Sequence, residues 1–117
     1  MSENAFEAAG IIAEQNVAIT MRDGVTLSAN LFRPADSGPL PALVLRIPYN
    51  KDVAQIYVYA HPAWYARKGY AVLVQDSRGR YASEGEFYPL RLDGEDGFDT
   101  IEWCAAQSWC DGQVGSY

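Results

Sequence analysis

The chain has 117 residues, 49% hydrophobic and 21% charged, and its 9 Lys+Arg against 15 Asp+Glu give a formal net charge of −6. That balance suits one globular domain able to bury roughly two-thirds of the surface its unfolded chain exposes. An acidic chain without a basic stripe argues against nucleic-acid binding, and no apolar run approaches the ~18–20 residues that cross a bilayer.

The N-terminus, MSENAFEAAG, carries acids and no basic stretch, so neither a secretory leader nor a membrane partner is expected. Residues 1–16 read as an N-terminal extension. A hairpin follows over 17–33. Val17, Ile19 and Met21 alternate with polar or small residues, as do Val25, Leu27, Ala29 and Leu31, and period two places each set on one face. Asp23-Gly24 between them tolerates the positive φ of a tight hairpin turn.

A turn-rich connection, PADSGPLP (34–41), leads into Ala42-Leu43-Val44-Leu45-Arg46-Ile47, and a second apolar run, Tyr70-Ala71-Val72-Leu73-Val74, follows. Such runs suit strands covered on both faces. Residues 62–68 are expected to be helical, opened by Pro62 and stopped by Gly69. Strand, helix and strand at this spacing make a right-handed crossover, so the expected fold is α/β, an antiparallel hairpin leading into a mixed sheet.

A loop, QDSRGRYASEGEF (75–87), precedes a helix expected over 93–107 with Asp93 as its cap. Phe98, Ile101 and Ala105 are expected on its buried face, with Glu95, Asp99 and Glu102 opposite. This region is strongly acidic: residues 84–117 hold eight acids against Arg91, whereas residues 1–83 sum to +1. The helix explains most of those carboxylates without a catalytic role, because acids near a helix N-terminus face its dipole favourably. Residues 112–117 read as the start of another strand.

Candidate chemistry is sparse. The sole histidine, His61, has no metal-ligating or nucleophilic partner in sequence, and no phosphate-cradling glycine loop accompanies it. Cys104 and Cys110 make neither a disulfide framework nor a metal motif, and two buried reduced thiols point to a cytoplasmic location. Arg46-Ile47-Pro48-Tyr49-Asn50-Lys51 is more informative. It sits at the carboxyl end of a buried strand, where open α/β sheets gather ligands.

The stretches MRDGVTLSANLFRP (21–34), PALVLRIPYNK (41–51), RKGYAVLVQDSRGRYASEGEF (67–87) and DGEDGFDTIEWCAAQSWCDGQVG (93–115) resemble the N-terminal part of one family. It is the X-prolyl dipeptidyl-peptidase and cocaine-esterase family of serine α/β-hydrolases. The resemblance implies that residues 1–117 are the N-terminal portion of an α/β-hydrolase catalytic domain, ending just before the Gly-x-Ser-Tyr-x-Gly turn that carries the nucleophile.

It also implies that Tyr49 is an oxyanion-hole donor. Asp76, Arg78 and Gly79 fall in a structural loop, with Arg78 as its ion-pairing organiser, and Trp109 and Gly112 mark the approach to the nucleophile strand. Ser116 aligns with an ordinary strand residue, and Val114 stands where the turn would need glycine. Nucleophile, acid and base are expected outside this chain, since the order Ser, Asp, His excludes His61. The implied partner is a small ester, amide or peptide substrate; a homo-oligomer is allowed for the intact protein, and no cofactor or metal is implied. The alternative is a complete, non-catalytic α/β binding module.

Overall fold

The computed structural model describes residues 10–35, 38–52, 61–86 and 92–116. Among them run β1 (Ile11–Thr20), β2 (Thr26–Pro34), β3 (Leu40–Ile47), α1 (Pro62–Arg67), β4 (Ala71–Asp76), α2 (Asp93–Ala105) and β5 (Cys110–Ser116). Of the expected extension over 1–16, residues 1–9 lie outside the described residues, and Ile11–Asn16 belong to β1.

The strands form one sheet in the order β1-β2-β4-β3-β5. β1 and β2 pair antiparallel, as do β2 and β4, while β3 lies parallel to both β4 and β5. The predicted hairpin closes at Asp23-Gly24. Gly24 adopts φ 89°, its N–H donates to Met21 O at 2.9 Å, and the Asp23 carboxylate accepts the Val25 N–H at 3.2 Å. β1 begins well before Val17 because a bulge interrupts it. The register shifts between Glu14 and Val17, and Asn16 takes φ 55°, which erases period two from the sequence there.

Helix α1 connects the parallel neighbours β3 and β4, as the spacing requires. Every residue of β4 is buried, because it has a strand on each side and helices over both faces. Val72 and Val74 point into one core with Ile11, Phe32, Leu45, Ala63 and Ala66. Leu73 points into the other, with Ile19, Leu27, Leu31, Val44 and Cys104. Each buried Val, Leu, Ile or Phe among them contributes about 1.5–3 kcal/mol through removal from water. β2 also departs from simple alternation: Leu27 through Phe32 are all buried, since the strand lies between β1 and β4.

Helix α2 turns a different face inward from the one expected. Phe98 is 58% exposed and Ile101 and Ala105 are half-buried, whereas Asp96, Thr100 and Cys104 are buried. The inward polar residues meet polar partners. Thr100 Oγ1 donates to Gln75 Oε1 at 3.0 Å, and Asp96 receives Arg78. Its cap is also not Asp93. Leu92 holds that position without a side-chain capping bond, and Asp93 is the first helical residue. No helix among the described residues is long and apolar enough to cross a membrane.

Candidate active site

The carboxyl ends of the parallel strands β3, β4 and β5 lie side by side, with Ile47 opposite Asp76 and Val44 opposite Ser116. Pro48 cannot donate to a ladder, so β3 stops and the chain turns through residues 48–52. Tyr49 is 64% exposed at the head of that turn. Asn50 takes φ 80°, and its Oδ1 accepts the Asp52 N–H at 3.0 Å, which fixes the reversal.

Below the turn lies a polar cluster. Lys51 is 3% exposed and Asp76 is fully buried. Asp76 Oδ1 accepts the Lys51 backbone N–H at 2.8 Å, and its Oδ2 accepts the Ala82 N–H at 3.2 Å. The Lys51 ammonium donates to Asn16 Oδ1 at 2.8 Å and stands 3.6 Å from Asp76 Oδ2. The β1 bulge thus aims Asn16 at Lys51. Asn30 completes the cluster, donating from Nδ2 to Asp52 Oδ1 at 2.8 Å.

The loop after β4 is organised by Arg78, as the sequence suggested. Its guanidinium donates to both oxygens of Asp96, at 2.9 and 2.7 Å, and to both of Asp23, at 2.9 and 3.2 Å. These hydrogen bonds raise its pKa further and hold the Asp23 carboxyl below the usual carboxylate range. Arg46 sits alongside, donating from Nε to Gln75 Oε1 at 2.7 Å with its Nη2 3.9 Å from Asp96. Arg46, Val44, Gly97, Ile101 and Ser116 line a cleft of about 280 Å³.

The remaining candidates fall elsewhere. Ser116 is an exposed residue within β5, on no strained turn. His61 is the N-cap of α1: its Nδ1 accepts the Ala63 N–H at 3.0 Å, and its ring meets Phe32 edge-on at 5.6 Å. Burial pushes its pKa down. Cys104 and Cys110 are free and buried, and burial pushes the Cys104 thiol up to about 12. Among the described residues, no three His, Cys, Asp or Glu side chains gather as a metal site would require.

The resemblance singles out Tyr49, which the structure leaves exposed beyond β3, and Arg78, which it shows pairing with Asp96 and Asp23, whereas the Lys51 cluster is not among the residues that the sequence offers. Its one visible trace is Gln75-Asp76, two polar residues closing an otherwise apolar strand. Asn16 and Asn30 left none, because only the folded sheet brings them to Lys51.

The family model for X-Pro dipeptidyl-peptidase (S15 family) matches residues 23–117. The chain is 46% identical over 104 residues to the cocaine esterase of Rhodococcus sp. (strain MB1 Bresler), an alignment covering 87% of this chain and 18% of that protein. A crystal structure of a CocE/NonD family hydrolase from Staphylococcus aureus superposes with a TM-score of 0.81 at 29% identity, over 91% of this chain and 22% of the other. An alpha-amino acid ester hydrolase superposes with a TM-score of 0.71 at 29% identity, over 92% and 21% respectively. The chain therefore spans about a fifth of the length of these relatives.

Proposed function

Because the chain belongs to the X-Pro dipeptidyl-peptidase (S15) family, we propose that it forms the N-terminal portion of the catalytic domain of a serine α/β-hydrolase. The reaction is cleavage of a small ester, amide or peptide by acyl transfer, a substrate class supported by the names of the relatives. The observation that carries this reading is the position of Tyr49, exposed immediately beyond the carboxyl end of β3 and beside the ends of β4 and β5.

In this reading a serine that follows β5 attacks the substrate carbonyl carbon and its proton passes to a histidine. The carbonyl π electrons move onto oxygen, and the Tyr49 hydroxyl donates a hydrogen bond to that oxyanion. Collapse expels the alcohol or amine, which takes the proton. Water then attacks the acyl-serine and releases the acid. Nucleophile, acid and base all lie outside residues 1–117, so these residues alone hydrolyse no ester. No step needs a cofactor. Two buried free thiols fit a reducing cytoplasm.

Tyr49→Phe in the whole protein tests the assignment. Turnover of a p-nitrophenyl ester should fall ~100–1000-fold, as for loss of one oxyanion donor. Folding should be unaffected, because the ring is 64% exposed. Unchanged turnover would remove Tyr49 from the mechanism. A fluorophosphonate probe should label a serine beyond these residues, and labelling of Ser116 would overturn the placement of the nucleophile.

A further inference from the structure

Building on the assignment of Tyr49 above, we propose that Asp76 and Arg80 are positioning residues, which hold the turn at 48–52 so that the Tyr49 hydroxyl stays where an oxyanion forms. The loop after β4 fastens that turn on both sides of the tyrosine. Before it, the Ser77 N–H donates to Ile47 O at 2.9 Å and Arg80 Nε donates to Pro48 O at 3.0 Å. After it, Asp76 Oδ1 accepts the Lys51 N–H at 2.8 Å, and the Lys51 ammonium lies 3.6 Å from Asp76 Oδ2.

The fastening loop is itself anchored. Ser83 Oγ donates to the Asp76 carbonyl at 2.6 Å, and Asp76 Oδ2 holds the Ala82 N–H. Lys51 also reaches back to Asn16 in the β1 bulge. The turn is thus tied to β4 through Asp76 and to β1 through Asn16, and the Lys51 and Asp76 side chains that make these ties are themselves buried. A buried ion pair contributes little net stability, because desolvation offsets its attraction. Its retention here is better explained by what it holds. An oxyanion donor acts over ~2.7–3.1 Å, and a misplacement of about 1 Å costs up to ~100-fold in rate.

The test is a double-mutant cycle on kcat and KM in the whole protein, comparing wild type, Asp76→Asn, Tyr49→Phe and the double variant. Asn keeps a carbonyl oxygen for the Lys51 N–H and loses the charge facing its ammonium. With Tyr49 present, Asp76→Asn should lower kcat about tenfold or more and leave KM within about twofold. In the Tyr49→Phe background the same substitution should change kcat little, because the donor it positions is gone.

An equal loss in both backgrounds would overturn the positioning role while leaving Tyr49 as oxyanion donor. No loss from Tyr49→Phe itself would overturn the oxyanion assignment, and the positioning role with it. Should Asp76→Asn fail to fold, Arg80→Met replaces it in the same cycle, with the same outcomes deciding.

Discussion

Arg78→Met is the most informative perturbation of the scaffold. The guanidinium is 13% exposed and joins Asp96, whose side chain is 3% exposed, to Asp23, which is 45% exposed. The two halves of the loss differ in size. Asp23 returns to water and keeps its bond from the Val25 N–H, so its share of the loss is small. Asp96 stays buried, and the cation then nearest to it among the described ion pairs, Arg46 Nη2 at 3.9 Å, is beyond hydrogen-bond reach. Removing one member of a buried pair costs about 3–5 kcal/mol, and Arg46 keeps the expected value near the lower end. Urea unfolding of the whole protein, followed by a near-ultraviolet signal from Trp103 and Trp109, supplies the measurement. Arg78→Met with Asp96→Leu should be less destabilised than Arg78→Met alone, since no carboxylate is then stranded. A loss under about 1 kcal/mol, or strictly additive effects in the double variant, would refute the reasoning.

Two further outcomes follow from local geometry. Gly85→Ala should destabilise by about 1–3 kcal/mol on urea unfolding, because Gly85 sits at φ 92° and an added Cβ would lie 2.9 Å from Arg78 Cγ; a neutral effect would mean the loop shifts freely. His61 should give the protein a stability slope in mild acid. Its folded pKa lies below its ordinary value through burial, so the unfolded chain binds the proton first. Its contribution is therefore whole above about pH 7 and shrinks as pH falls through the unfolded value of ~6.5. His61→Asn, which retains a capping acceptor, should flatten that slope in thermal unfolding between pH 5 and 7.5, and an unchanged slope would sink the idea. Asp23 and Asp99, held low by hydrogen bonds from Arg78 and Arg22, act in a separate window below about pH 4.

The legible parts of the sequence were those where one local signal decides. Alternation with Asp-Gly gave the hairpin, continuous apolar runs gave β3 and β4, and Pro62 gave the start of α1. The places where the structure departs from these signals share a cause. Each concerns a polar side chain turned inward toward a partner distant in sequence. Hydrophobicity points the Phe98 face of α2 inward, yet Asp96 and Thr100 face the core because Arg78 and Gln75 await them. Alternation starts β1 at Val17, yet the strand begins at Ile11 and its bulge at Asn16 lets that amide meet Lys51. Nothing in hydropathy or spacing announces such pairings.

The same kind of pairing makes the segment from Gln75 to Gly85 a junction between elements. Most of its residues answer to another element. Gln75 Oε1 accepts from Arg46 on β3 and Thr100 on α2. Arg78 joins the hairpin turn to α2, and Gly85 is the residue that leaves room for its stem. Ser83 Oγ accepts the Ser28 N–H at 2.8 Å, and Glu84 binds the Thr26 N–H and carbonyl, so the loop continues the pairing of β2 beyond the end of β4. Asp76 and Arg80, between these contacts, face the Tyr49 turn. A loop that closes the hairpin, the helix and the tyrosine turn at once has little freedom to move any one contact alone. Its rigidity is the property an oxyanion donor requires, because a hydrogen bond made ready before the charge develops needs no rearrangement as the charge appears.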